Sequence, residues 1–371
     1  MKKIIFLFLL VFSLLVFLVP GAVRAGSGLT VSDASAQVNF PASITFSIAA
    51  ESDVSITDIR LHYSVERMTF SQVTAEVYIT FIPAKSVKTQ SILDMRKTGG
   101  LPPGSTVDYW WTVTDAAGKK IETGLYSVHI EDERYDWKIL QQGQVTLYWY
   151  EGDNSFAGEL MAATQDALAR LATNTGAELA SPVKLYIYAS QSDLLGAMVY
   201  PQEWTGGVAY SEFGIIAIGI EQTESQLEWG KRTISHELTH LVINQLTFNP
   251  YNYLPNWLNE GLAMTSEGEL ELSFILALSR AEAEKSYISV RSLCSPFSAY
   301  IDQTVLAYAE SYEIVTYLIN KYGREKMFEL LNVFKQGSGY DEALEKIYGF
   351  DMDELNSMWQ SERNAIPQFS P

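Results

Sequence analysis

Ser235-His236-Glu237-Leu238-Thr239-His240 sits in a segment of helical periodicity, where Ile234, Leu238, Leu241, Val242 and Leu246 supply one apolar stripe. The helix is expected to start near Thr223 or Ser225, followed three residues on by Gln226 and Glu228 in capping-box spacing. On a helix, positions i and i+4 lie one turn apart on one face, so His236 and His240 can converge on one metal ion. Glu237 is turned about 100° from His236. A carboxylate there stands beside the ion, placed to take a proton from metal-bound water. The bland alternative is a helix whose two histidines simply pack in a core. Against it, the chain has only four histidines and two of them fall here. A tetrahedral hydrolytic site needs a third protein ligand and an open fourth position. Glu260, within Pro255-Asn256-Trp257-Leu258-Asn259-Glu260-Gly261-Leu262-Ala263, is a candidate 20 residues after His240, on a second helix from which it could swing back. Two neutral imidazoles and one carboxylate leave a bound zinc site at about +1, which favours ionising its water.

Working outward, the sequence divides into two patterns. From residue 26 to about 130 the period is two. Ile44, Phe46 and Ile48 alternate with polar neighbours, as do Ile59, Leu61, Tyr63 and Val65, and again Val107, Tyr109, Trp111 and Val113. Turn signals at Gly99-Gly100, Pro102-Pro103-Gly104 and Asp115 to Gly118 separate the runs. Several short strands in this length predict an all-β sandwich over 26–131. His62 is out of phase with Leu61 and Tyr63 and is expected to face solvent; neither it nor His129 reads as a ligand. The charged segment from Glu131 to Asp136 marks the boundary. After it, Val145 to Tyr150 and Val183 to Tyr188 read as strands, Phe156 to Leu171 as a helix, and Gly206 to Ile220 as further β structure. From Thr223 onward the pattern is almost wholly helical. The second unit, 137–371, is therefore an α+β domain, a small sheet followed by a helical half.

These pieces resemble known families. Leu101-Pro102-Pro103-Gly104 through Thr123 resembles the late hairpin of fibronectin type III or immunoglobulin-like modules. The pair His236-Glu237-Leu238-Thr239-His240 and Trp257-Leu258-Asn259-Glu260-Gly261-Leu262-Ala263 resembles the gluzincin zinc metallopeptidases, which include thermolysin-like and aminopeptidase families. More closely, the second unit is similar to bacterial peptidase MA-like domains through Arg291 to Phe297, Tyr308 to Gly323 and Arg324 to Leu331. The resemblance implies Zn2+ held by His236, His240 and Glu260, Glu237 as general base, and a peptide or protein substrate lying along an edge strand. That strand is expected within Gly206 to Tyr210, whose adjacent glycines would let a substrate backbone approach closely. Tyr308 or Tyr312, one turn apart in the matching helix, could donate a hydrogen bond to the oxyanion; Tyr308 is the stronger candidate. The sequence departs from the family in two places. Nineteen residues separate His240 from Glu260, against 18 in aminopeptidase-like relatives, and Met264 stands where many gluzincins carry an acidic residue to orient a histidine. Glu267 is a possible substitute, or equally a solvated helix charge. No motif that would hold a free amino group is evident, so an endopeptidase is expected.

Composition bounds the remaining possibilities. The 371 residues are 47% hydrophobic and 19% charged, enough to bury sizeable cores and to exclude wholesale disorder. A net charge of −18 repels phosphate backbones and argues against nucleic acid as a partner. A single cysteine, Cys294, allows no intrachain disulfide. Lys2 and Lys3 precede an apolar run to Val19, then Pro20-Gly21 and the small residues around Ala25. That predicts a signal peptide over 1–25 and a secreted, extracellular protein, with membrane or cell-surface attachment only if the segment remains as an uncleaved anchor. Cleavage would remove Lys2, Lys3 and Arg24 and take the charge to −21. The competing function is a non-catalytic surface adhesion or binding protein built on the same scaffold. Glu237 discriminates, since a purely structural metal site has no use for a base. Oligomeric state is not legible.

Overall fold

The computed structural model describes residues 28–203 and 205–365; the expected signal peptide lies outside the described residues. Among them, no helix is long and apolar enough to cross a membrane.

The amino-terminal part is all β: β1 (Thr30–Asn39), β2 (Ser43–Val65), β3 (Ala75–Tyr78), β4 (Ala84–Asp94), β5 (Thr106–Asp115), β6 (Lys120–Glu122) and β7 (Tyr126–His129). The long β2 organises it. Its first half pairs antiparallel with β1 and β4; past an irregularity between Glu51 and Ile56 its second half pairs with β3 and β5. The strand thus serves both layers of a sandwich, and Phe46 from the first half packs 5.0 Å from Tyr109 of the facing layer. The alternating residues close the core: Ile44, Phe46, Ile48, Ile59, Leu61, Val107, Trp111 and Val113 are fully buried. Each contributes about 1.5–3 kcal/mol against exposure. The stretch from Leu101 to Thr123 forms the β5–β6 hairpin. His62 is not solvent-facing as expected. On the outer face of β2 it stacks on Trp110 at 5.2 Å and bonds Thr112 at 3.1 Å, because the β5 neighbours on that face are large enough to cover it.

A five-stranded sheet follows, in the order β11-β12-β10-β9-β8, from β8 (Lys138–Gln142), β9 (Val145–Trp149), β10 (Val183–Tyr188), β11 (Gly207–Tyr210) and β12 (Ile215–Gly219). The middle three strands are parallel, and the edge strands β8 and β11 antiparallel. One face, with Leu147, Leu185, Ile187, Ile216 and Ile218, packs on α1 (Asn154–Thr175) and α3 (Glu224–Thr247). The opposite face, with Tyr148, Tyr186 and Tyr188, meets α2 (Gln191–Leu195) and the segment carrying Tyr135 and Trp137, and Phe40 of the sandwich reaches the same cluster. There Lys184 Nζ donates to Gly104 O at 2.7 Å. A Cβ on Gly104, at φ +83°, would lie 2.5 Å from the Tyr186 hydroxyl. The turn therefore demands glycine, and the sandwich is seated directly on the sheet. Asp132, fully buried, accepts from Arg134 at 2.6 Å and from the Tyr188 hydroxyl at 3.0 Å, so its charge is paired at this joint.

The chain ends in a helical half: α4 (Asn256–Glu267), α5 (Leu272–Glu284), α6 (Ile301–Tyr322), α7 (Arg324–Lys335), α8 (Tyr340–Tyr348) and α9 (Met352–Ala365). The multidomain architecture follows the expectation, all-β first and then a small sheet with a helical half. Strand β8 was not foreseen; it is an edge strand with Ile139 63% exposed and carries little alternation.

Candidate metal centre

Helix α3 begins where the capping box predicts, with the Thr223 hydroxyl accepting from Gln226 N. Its apolar stripe of Ile234, Leu238, Leu241 and Val242 is buried against the sheet and α1. Fixing that stripe inward turns His236 and His240 toward α4. Helix α4 starts after Pro255, whose carbonyl accepts from the amides of Leu258 and Asn259. Trp257, Leu258 and Leu262 anchor it in the core. Gly261 lets it lie against α6: a Cβ there would overlap the carbonyl oxygen of Ser311 and come within 2.5 Å of Val315 Cγ2. This close seat presents Glu260 to the two histidines.

The three donor atoms form a small triangle. Nε2 of His236 and Nε2 of His240 are 3.0 Å apart, and each lies 3.4 Å from Glu260 Oε2. Ligands at about 2.0–2.1 Å around a tetrahedral zinc stand roughly 3.3–3.4 Å from one another. The side chains are each 16% exposed, sheltered yet reachable from solvent. Among the described residues Glu260 Oε2 is buried without a hydrogen-bond partner, a costly arrangement for an anionic oxygen unless a cation meets it. Two nitrogens, one carboxylate oxygen and an open side are a donor set suited to zinc, and His236, His240 and Glu260 are brought together as the sequence predicted.

The electrostatics point the same way. Burial alone would depress the His236 imidazole, but the neighbouring carboxylates of Glu260, Glu267 and Glu237 raise it to about 10. Burial alone would raise the Glu260 carboxyl, but the imidazoles of His240 and His236 hold it well below the usual carboxylate range. The cluster draws positive charge into its centre, where a metal ion would supply it.

Outside the triangle, His236 Nδ1 bonds Glu267 Oε1 at 2.7 Å. The other oxygen of Glu267 is held at 3.3 Å by Arg232, one turn before His236 on α3. The open question of Glu267 is thus resolved: it grips the outer nitrogen of His236, while Met264 is buried in the core. The corresponding Nδ1 of His240 is buried without a partner among the described residues. Arg232 escaped notice in the sequence, although its spacing of four residues before His236 was the available signal.

Glu237 faces the edge strand: its Cγ lies 3.6 Å from where a Cβ on Gly207 would be. Strand β11 is the antiparallel edge of the sheet. A Cβ on Gly206 would strike Trp229 at 2.8 Å and one on Gly207 would strike Thr233 at 2.9 Å, so they seat the strand against α3. Tyr308 has its ring 6.2 Å from that of His236 and packs edge-on against Phe297 at 5.1 Å. Burial, with the charges of Glu260, Glu237 and Glu267, raises its phenol and keeps it an O–H donor. Tyr312, one turn on, has neighbours in Thr316 and Glu269 instead.

A model of the Peptidase MA superfamily matches residues 163–365, more than half of the chain. No curated protein matches. Among solved structures, similarity is found to the M1 zinc metallopeptidase of Deinococcus radiodurans, at 12% identity over 90% of this chain and 93% of that one, TM-score 0.33. The Legionella pneumophila aminopeptidase A in complex with aspartic acid is also similar, at 12% identity over 85% of this chain and 47% of that one, TM-score 0.39. OgpA from Akkermansia muciniphila, in complex with an O-glycopeptide substrate, matches at 13% identity over 29% of each chain, TM-score 0.21, so this chain spans under a third of its length. The scaffold is metallopeptidase-like, and the chain belongs to the Peptidase MA superfamily.

Proposed function

We propose that this protein is a secreted, zinc-dependent endopeptidase, its peptidase unit running over 137–371 behind an immunoglobulin-like sandwich over 26–131. The observation that carries the reading is the triangle of His236 Nε2, His240 Nε2 and Glu260 Oε2 at 3.0–3.4 Å, with Glu237 next to His236 on α3 and its Cγ close to Gly207 of the edge strand. His236, His240 and Glu260 would hold the ion, and Glu267 would fix the His236 ring from outside. Zinc, when bound, supplies a Lewis acid that polarises the scissile carbonyl and acidifies water. The carboxylate of Glu237 accepts the proton of the attacking water and passes it to the leaving nitrogen. The phenol of Tyr308 donates to the carbonyl oxygen as that oxygen becomes negative. The free edge of β11 offers backbone donors and acceptors to an extended substrate.

A broad quenched-peptide library tests this on the mature chain. Cleavage is expected from the zinc-loaded protein, lost on chelation and regained when zinc is restored. No cleavage by protein carrying one zinc per chain would turn the assignment toward a binding scaffold.

A further inference from the structure

A cleft of about 580 Å3 opens beside His240. One wall is the remainder of α3, where Asn244 stands one turn beyond His240 and Phe248 ends the helix. The opposite wall is the turn after β11, which carries Glu212. The end comes from the other domain, from Arg67 to Phe70 just past β2. This loop is fastened to both walls. Met68 N donates to Glu212 O at 2.7 Å and Arg67 pairs with the Glu212 carboxylate at 3.1 Å. On the helix side the Phe70 ring stacks on Phe248 at 4.2 Å with 4° between planes.

The cleft's chemistry is specific. Arg67 and Glu212, each about half exposed, pair at 3.1 Å, so together they bring no net charge to the cleft. Among the described residues Asn244 Oδ1 is buried and has no hydrogen-bond partner, an arrangement that costs stability unless a donor arrives from outside. Asn244 lies about 6 Å from His240 along the helix, the reach of about two residues of extended peptide.

We propose that this cleft is a substrate subsite shared by the two domains, and that it takes an uncharged stretch of peptide about two residues from the scissile bond. The Asn244 amide turns into the cleft to hydrogen-bond the substrate backbone, and the sandwich loop forms the end wall. A charged substrate side chain would lose water there and find its counter-charge already held in an ion pair, so it is disfavoured. The inference rests on the peptidase reading.

The test uses the full mature chain, peptides that the wild type cleaves, and Lys or Asp scanned through the three positions on either side of the bond. Wild type is expected to discriminate against both charges at one position on one side only. Asn244→Ala raises KM about 3- to 10-fold, with zinc content unchanged. Phe70→Ala, at an exposed loop residue, relaxes the discrimination against charge and serves if Asn244→Ala does not fold. Wild-type cleavage with KM and charge preference unmoved in both variants would overturn the subsite and leave the peptidase standing. No wild-type cleavage of any peptide would overturn the peptidase reading, and the subsite with it.

Discussion

Replacing Glu267 by alanine removes the one protein group that holds the outer nitrogen of a candidate zinc ligand. The bond from His236 Nδ1 to Glu267 Oε1 is 2.7 Å, and Arg232 steadies the second oxygen at 3.3 Å. Without it the imidazole is free to rotate and its tautomer is no longer set. A hydrogen bond to a charged group contributes about 1.5–3 kcal/mol. Loss of such outer partners lowers metal affinity about 10- to 100-fold, the same range at about 1.4 kcal/mol per tenfold. Competition for zinc with a chromogenic chelator measures it directly. Glu267→Gln keeps an acceptor oxygen and should lose less than Glu267→Ala. Glu269→Ala, at an exposed neighbour, should lose nothing. Unchanged zinc affinity in a natively folded Glu267→Ala protein would refute the positioning role.

Three further outcomes follow from the packing and charge around the site. Gly261→Ala forces α4 away from α6, so it should cost about 1–3 kcal/mol in denaturant unfolding and weaken zinc binding with it; unaltered stability would contradict the contact with Ser311 and Val315. Burial and the nearby Glu313, only partly offset by the Ile288 amide and Arg363, push the Glu310 carboxyl up to about 8. The folded state therefore keeps a proton that the unfolded chain releases from about pH 4.5 upward, and stability from this group falls until about pH 8 by roughly 1.4 kcal/mol per unit. Glu310→Gln should remove that slope, and identical melting-temperature profiles for variant and wild type between pH 5 and 8 would count against it. Tyr308→Phe should lower kcat about 100-fold while zinc content holds; an unaffected kcat would exclude the phenol from the reaction.

What was legible in the sequence was local periodicity plus a few residues with little other use. The four-residue spacing of His236 and His240 fixes their common face whatever the rest of the fold does, and the Thr223 cap fixes where that helix begins. Glu260 was visible because it opens a second apolar-patterned helix. Glu267 lies seven residues after Glu260. Seven residues is nearly two full turns and returns to the same face, so the sequence could nominate Glu267 without separating it from a solvated charge. That decision required the packing of α4 beside α3, a tertiary arrangement to which the seat of Gly261 on α6 contributes. Gly206 and Gly207, read from the sequence for a substrate's approach, also make room for Trp229 and Thr233, neighbours that no local pattern specifies. Arg67 to Phe70 reach the cleft from about 170 residues away in sequence, through a docking of sandwich on sheet that depends on tertiary packing.

The most direct test of the account is turnover by Glu237→Gln protein shown to carry one zinc per chain, measured beside the wild type on the same cleaved peptide. The account predicts full zinc occupancy, because Glu237 is not in the triangle, with kcat reduced about 10²- to 10⁴-fold. Wild-type turnover in the zinc-loaded variant would contradict it.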